Sequence, residues 1–339
     1  VRIEKIKVGV MGLGHIGRHL YHLALEGDDI EIVAAADIGK PEILHYLLES
    51  DSVDGQRSEL RGNFLINDKF RTRMLQVARP SELPWDALGV DCVIDATGRY
   101  RDRAHMEAHL RAGAPRVILA SLPKDPIERV IIPGINENSA AKEDRLISAG
   151  SATTNALALL LDCLDRALGV ESASMTTVHA YSSDQSLQDY AQEDFRRSRS
   201  AAQNIIPNKN ESAHWVESIL PKFSGKLSGY ALNVPVQKGS LLDLNCVMRE
   251  AGATVQQVNE AVRAAASSRP ELIAVTDDPI VSSDVIGCRQ SLLFDAAATL
   301  KAGKKIVKVL AWYESLGQAC RVLDVVRHYS RFDGIGGVR

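Results

Sequence analysis

Long apolar runs are missing from this chain of 339 residues. No stretch approaches the roughly 18 consecutive apolar residues of a membrane-spanning helix. The start, Val1-Arg2-Ile3-Glu4-Lys5, lacks the apolar segment of a signal peptide and reads as the approach to a strand. An excess of one charge is missing too: 40 Lys and Arg stand against 43 Asp and Glu, a formal net charge of −3. General electrostatic attraction to nucleic acid or anionic membranes is therefore not expected. Paired cysteines are absent. Cys92, Cys163, Cys246, Cys288 and Cys320 are odd in number and widely spaced, with no Cys-x-x-Cys. That argues against a disulfide framework or zinc site and for a reducing, cytoplasmic setting. The nine histidines show no metal-ligand spacing, so no metal is expected.

What remains is an ordinary globular composition, 45% hydrophobic and 24% charged, long enough for two domains. Ile6–Met11, Ile30–Ala36, Asp91–Ala96 and Arg116–Ala120 read as short apolar strands with helical stretches between them. Such alternation predicts a doubly wound, parallel α/β sheet. The pattern then changes. A helix is expected from about Ala152 to Leu168, followed by longer alternating strands at Ser172–Tyr181, Leu227–Val236 and Ser240–Arg249. These fit an α+β region with a mostly antiparallel sheet. A last helix is expected near Gln318–Ser330, and the Gly-rich end, Gly334-Ile335-Gly336-Gly337, is expected to fray. The division is thus 1–151, completed by 318–339, and 152–317.

Gly12-Leu13-Gly14-His15-Ile16-Gly17 sits between the first strand and the first helix. A lone Gly-x-Gly-x-x-Gly is weak; in this context it predicts a dinucleotide site, with pyrophosphate on the helix N-terminus. Asp37 lies about 20 residues past Gly17, where a carboxylate bonds the adenosine ribose and repels a 2′-phosphate. NAD is therefore expected over NADP.

Ser148-Ala149-Gly150-Ser151-Ala152-Thr153-Thr154-Asn155 resembles the active-site block of glyceraldehyde-3-phosphate dehydrogenases, Ser-Asn-Ala-Ser-Cys-Thr-Thr-Asn. The resemblance, which extends to erythrose-4-phosphate dehydrogenase, covers nearly the whole chain. It includes Val8–Arg18, Asp51-Ser52-Val53-Asp54-Gly55, Leu83-Pro84-Trp85 and Ala96-Thr97-Gly98. It continues through Thr176-Thr177-Val178-His179-Ala180-Tyr181, Arg196-Arg197, Ile205-Ile206-Pro207 and Asp278–Asp284. It implies an NAD-binding Rossmann domain, a catalytic domain and a homotetramer in which a loop like 181–207 lines the neighbour's cofactor site. In the family a thiolate attacks an aldehyde, hydride passes to NAD, and phosphate releases the acyl group. The resemblance places Ala152 at the nucleophile position and His179 at the base. Cofactor contacts fall to Gly12, Gly14, His15, Ile16, Gly17, Asp37, Thr97, Gly98, Ser121 and Ser315. Substrate contacts fall to Ser151, Thr153, Ser182, Asp184, Asn210, Glu211 and Asn233.

The departures are as informative as the matches. Alanine at 152 cannot form a covalent intermediate. Asn210-Glu211 replaces the Thr-Gly that binds attacking phosphate, and Asn233 replaces the arginine that grips the substrate phosphate. Trp312-Tyr313-Glu314-Ser315-Leu316-Gly317 is one residue shorter than the family motif, so the asparagine that orients the nicotinamide has become Ser315 or is lost. Three readings follow. One is an NAD-dependent enzyme acting on an aldehyde or acyl phosphate, with a changed pocket and its cysteine replaced. Another is a non-catalytic NAD-binding regulatory or assembly protein. The third is a dehydrogenase without covalent intermediate, using His179 as acid or base.

Overall fold

The computed structural model describes residues 4–51, 57–181 and 185–335. The Asp51–Gly55 motif beyond its first residue, Ser182, Asp184 and the end from Gly336 lie outside the described residues. The chain forms two compact units, Val1–Gly150 with Gln318–Arg339, and Ser151–Gly317.

The first unit carries β1 (Ile6–Met11), β2 (Ile30–Asp37), β3 (Glu59–Arg61), β4 (Phe64–Ile66), β5 (Arg71–Gln76), β6 (Cys92–Asp95), β7 (Val117–Leu119), β8 (Arg129–Val130) and β9 (Leu146–Ser148). Its helices are α1 (His15–Glu26), α2 (Pro41–Ser50), α3 (Trp85–Leu88) and α4 (Arg103–Arg111). The spatial order is β3-β4-β5-β2-β1-β6-β7-β9-β8, parallel except for the β3-β4-β5 meander at one edge. Central strands read as continuous apolar runs because a parallel sheet covered on both faces has no wet side. Val8, Val10, Ala34, Val93, Ile94 and Ile118 are accordingly inaccessible. The strand order reverses at β1, whose neighbours are β2 and β6. Ligands of open α/β sheets bind at the carboxyl ends of the strands flanking such a switch point. Met11 pairs with Ala36 on one side and Asp95 on the other, so Gly12, Asp37 and Thr97 all emerge at that edge.

The second unit opens with α5 (Ala152–Leu168), in which every residue from Thr153 to Leu164 is buried. The remaining elements are β10 (Val170–Ala180), β11 (Ile206–Lys209), α6 (Ser212–Ile219), β12 (Leu227–Val234), β13 (Ser240–Met248), α7 (Val255–Ser268), β14 (Ile273–Thr276), β15 (Leu292–Ala302) and β16 (Ile306–Tyr313). The sheet runs β11-β12-β10-β13-β16-β15-β14. It is antiparallel except for β10 with β12 and β14 with β15. The long crossover from β10 through α6 brings β12 in parallel, which a short hairpin could not do. The last helix, α8, spans Ser315–Phe332, three residues earlier at its start than the sequence pattern indicated. Among the described residues no helix is long and apolar enough to cross a membrane.

Candidate functional site

The glycine turn of the first unit is built for close approach. Gly12 has φ +95°, and a Cβ there would lie 2.7 Å from the Thr97 nitrogen. A Cβ on Gly17 would lie 1.9 Å from the Gly12 carbonyl oxygen, so any side chain would break the packing of α1 on the turn. Gly14, by contrast, is exposed and faces open space. It is the N-cap of α1; no side chain caps that helix and no acid stands in its first turn, which holds His15, Ile16 and Gly17. The positive end of the helix is thus left to an anion. Asp37 closes β2. Its Oδ2 accepts the Leu13 amide at 2.7 Å and its Oδ1 the Gly39 amide at 2.9 Å, which fixes the carboxylate beside the turn. Each oxygen keeps a lone pair for a further donor.

Ser121 follows β7 and accepts the Ser148 hydroxyl on its carbonyl at 2.7 Å, while its own hydroxyl is buried with no partner among the described residues. A buried hydroxyl without a partner costs roughly 1–3 kcal/mol, so it calls for a ligand or a water. Open space at Gly14, an oriented Asp37 and this hydroxyl together fit a dinucleotide. Gly98, exposed with φ +64°, adds a second turn at the same edge.

The second unit places Ala152, the residue that the sequence resemblance sets at the nucleophile position, at a helix start. Ser151 is the N-cap of α5, with extended backbone, and its Oγ accepts the Thr154 amide at 3.2 Å. The same Oγ lies 2.8 Å from Thr154 Oγ1, which donates to Ser212 Oγ at 3.0 Å. Ala152 is therefore the first helical residue, half-buried, with partial positive charge from the helix behind its backbone.

Thr153 turns inward. Its hydroxyl is 3.4 Å from His179 Nε2 and 3.0 Å from the Tyr313 hydroxyl. Tyr313 also bonds Thr177 and stands 3.4 Å from both ring nitrogens of His179. Burial pushes the Tyr313 phenol up to about 12, against the hydrogen bonds from Thr153, Thr177 and Ser240. It stays a neutral donor at any physiological pH. One fully buried phenol thus ties α5, β10 and β16 around His179. The sequence motif contained Tyr313 but gave it no role; only the pairing of β13 with both β10 and β16 brings it here.

Asn233 is the register partner of His179 across β10 and β12. It is buried within a chain of amides. Its Nδ2 donates to Gln185 Oε1 at 2.5 Å, and its Oδ1 accepts from Asn208 Nδ2 at 2.9 Å. Arg197 Nε reaches Asn208 Oδ1 at 3.4 Å. Gln185 and Asn208 carried no signal of their own in the sequence. Asn210 and Glu211 lie just before α6, where Asn210 Oδ1 accepts the Ser212 amide at 2.7 Å and Glu211 is the exposed N-cap. Ser315 opens α8 and donates to Glu314 Oε2 at 3.1 Å. Among the described residues no group of His, Cys, Asp and Glu is placed to hold a metal ion.

Residues 6–103 match the family model described as "Glyceraldehyde 3-phosphate dehydrogenase, NAD binding domain", and residues 151–315 the one described as "Glyceraldehyde 3-phosphate dehydrogenase, C-terminal domain". Glyceraldehyde-3-phosphate dehydrogenase 2 of Streptomyces arenae is 38% identical, over 94% of this chain and 97% of the relative. Glyceraldehyde-3-phosphate dehydrogenase 1 of Streptomyces avermitilis is 39% identical over the same shares. The Geobacillus stearothermophilus enzyme is 36% identical, over 95% of this chain and 98% of its own. This chain belongs to the glyceraldehyde 3-phosphate dehydrogenase family of NAD-dependent oxidoreductases, with NAD as its cofactor.

Proposed function

We propose that the chain retains the cofactor site of its family but does not form the acyl intermediate on which phosphorylating aldehyde oxidation depends. The observation that carries this is Ala152 at the first position of α5, inside an otherwise complete surround of Ser151, Thr153 and His179. Among the described residues no neighbouring hydroxyl replaces the thiol. Ser151 Oγ is committed to capping, and Thr153 Oγ1 is buried against Tyr313. Thr153 Oγ1 does approach His179 Nε2, at 3.4 Å, but it is buried and bound to the Tyr313 hydroxyl at 3.0 Å; a hydroxyl so held is a weak nucleophile at neutral pH.

The substrate end is altered on the same reading. Asn233 itself carries no charge in place of the family arginine, the nearest cation of its amide chain being Arg197 beyond Asn208, and Glu211 sets a carboxylate where attacking phosphate would bind. We assign Gly12, Gly14, His15, Ile16, Gly17, Asp37, Thr97, Gly98, Ser121 and Ser315 to the cofactor. Ser151, Thr153, Ser182, Asp184, Asn210, Glu211 and Asn233 go to the substrate side. The substrate is then an aldehyde or acyl phosphate held without the family arginine. The intact pairing of His179 with Tyr313 favours one further reading, direct acid–base work on an alcohol.

Paired measurements test the proposal. Calorimetric titration should show NAD binding at least about tenfold tighter than NADP, because the Asp37 carboxylate opposes a 2′-phosphate. Intact-mass analysis after mixing with NAD and aldehyde should show no acyl adduct. An adduct on any residue overturns the covalent-silence reading, and equal or tighter NADP binding overturns the role of Asp37.

Assembly as a homotetramer completes this reading. The 181–207 stretch exposes Leu187, Tyr190, Phe195 and Ile205, with Phe195 at 94% exposure. Isolated surface leucines are ordinary, but several large apolar side chains on one segment mark an interface. Light scattering should give the mass of four chains, and Phe195→Asp should shift it downward. A monomer at micromolar concentration would remove the tetramer from the proposal.

A further inference from the structure

Beneath the cofactor turn lies a buried polar chain that the reaction itself does not use. Trp85, His109 and Asp95 are each fully buried. The Trp85 indole donates to His109 Nδ1 at 3.0 Å, and His109 Nε2 lies 3.3 Å from Asp95 Oδ2. An indole N–H can only donate. Nδ1 must therefore accept, the ring proton sits on Nε2, and Asp95 must accept in turn. The other Asp95 oxygen takes the Thr97 amide at 2.9 Å and the Thr97 hydroxyl at 2.6 Å. Thr97 Oγ1 then accepts the Arg99 amide at 3.1 Å. One end of the chain presses on β1 and the other on the residue that follows it. A Cβ on Gly9 would lie 2.5 Å from the Trp85 ring, and one on Gly12 would lie 2.7 Å from the Thr97 nitrogen.

We infer that Asp95 and His109 are positioning residues for NAD: through Thr97 they hold the backbone against which the Gly12–Gly17 turn is set. This rests on the reading of that turn as the pyrophosphate site. The directionality supports a role beyond packing. Apolar side chains would fill the same space without burying a carboxylate, and they are often the more stable choice. The donor order from Trp85 to Asp95 admits one histidine tautomer and so one orientation of the Thr97 turn. A fully satisfied buried network of this kind specifies a single geometry.

Wild-type chain is titrated first with NAD; failure to bind would remove the cofactor reading itself, independently of this inference. Given binding, Asp95→Asn sets an amide donor against either His109 Nε2–H or the two Thr97 donors. It should weaken both NAD and ADP by about tenfold, the scale of one lost buried hydrogen bond. His109→Leu should do the same. His109→Gln keeps one acceptor and one donor and should stay within about threefold of wild type. Adenosine, which has no pyrophosphate, should change by less than about twofold in every variant, followed by NMR. Thr97→Val, at a partly exposed position, is expected to fold and to weaken NAD, and it should add little to Asp95→Asn because both cut one network. Unchanged NAD and ADP affinity in His109→Leu overturns the inference. So does an equal loss for adenosine, which signals general loosening, or a His109→Gln variant as weak as His109→Leu. If the core variants do not fold, normal NAD binding by Thr97→Val overturns it alone.

Discussion

Ala152→Cys is expected to give the fastest-reacting thiol in the chain at neutral pH. The new side chain would stand at the first residue of α5, where the helix N-terminus favours a thiolate, beside Thr153 and the His179 ring it approaches. Thiols in such settings titrate between roughly 3.5 and 7.5, against about 8.5 when free. Four of the five existing cysteines offer poor competition. Burial pushes Cys92 and Cys246 up to about 12 and Cys163 up to about 11, and raises Cys288 as well. At pH 7 a thiol of pKa near 12 holds about one part in 10^5 as thiolate, whereas one near 7 holds about half. Lower basicity also lowers intrinsic nucleophilicity, with a Brønsted slope of about 0.4–0.5, which returns some two decades. A net advantage of about a hundredfold or more in alkylation remains over the buried cysteines. His179→Ala in the same background should slow the reaction. An introduced thiol no faster than Cys288 or Cys320, or no response to His179→Ala, would sink the silenced-thiol reading and favour the binding-protein or alcohol-dehydrogenase alternatives.

Phosphorylating oxidation of glyceraldehyde 3-phosphate should be absent at a level easily told from ordinary turnover. Removing a covalent nucleophile costs about 10^6 in kcat, and a typical enzyme runs near 10 per second, so the chain should turn over at about 10^-5 per second or less. Asn233 and Glu211 add losses of their own, because truncating a charged anchor removes transition-state stabilisation that the thiol cannot replace. Ala152→Cys alone should therefore leave the phosphate-dependent rate far below that of the relatives, even where the thiol is reactive. NADH formation with glyceraldehyde 3-phosphate and phosphate measures both. Turnover of the unmodified chain within about tenfold of 10 per second would show the site to be misassigned.

The parts of this site that were legible in the sequence are those set by near neighbours. Gly12, Gly14 and Gly17 are spaced by the geometry of one turn and one helix start. Ser151 announces α5 because a cap must sit just before the first helical residue. Alternation located β10, β12 and β13 to within about two residues. Strand direction was not legible: alternation is the same for parallel and antiparallel partners, and β12 lies parallel to β10. Tyr313, 134 residues from His179, was equally hidden, because its place depends on the lateral order of β10, β13 and β16. The amide chain from Gln185 to Asn208 rests on the same kind of pairing. A buried hydrogen-bond network is a property of register, and register is not written in any local stretch.

The order of assembly on the ribosome follows from which residues the first unit recruits. Its sheet is made from the first 150 residues, yet Val322, Val325 and Val326 of α8 belong to its core. Gln318 Nε2 bonds the carbonyls of Ala120, Ala149 and Gly150, Arg327 pairs with Asp29, and Tyr329 donates to Asp144. None of these contacts can form until the end of the chain has emerged. The second unit, by contrast, is one continuous stretch, Ser151–Gly317. Domains fold as units during synthesis, as soon as their residues are present. The dinucleotide half is therefore the first to be translated and the last to be finished, and Asp29 and Asp144 wait without their α8 partners in the interval.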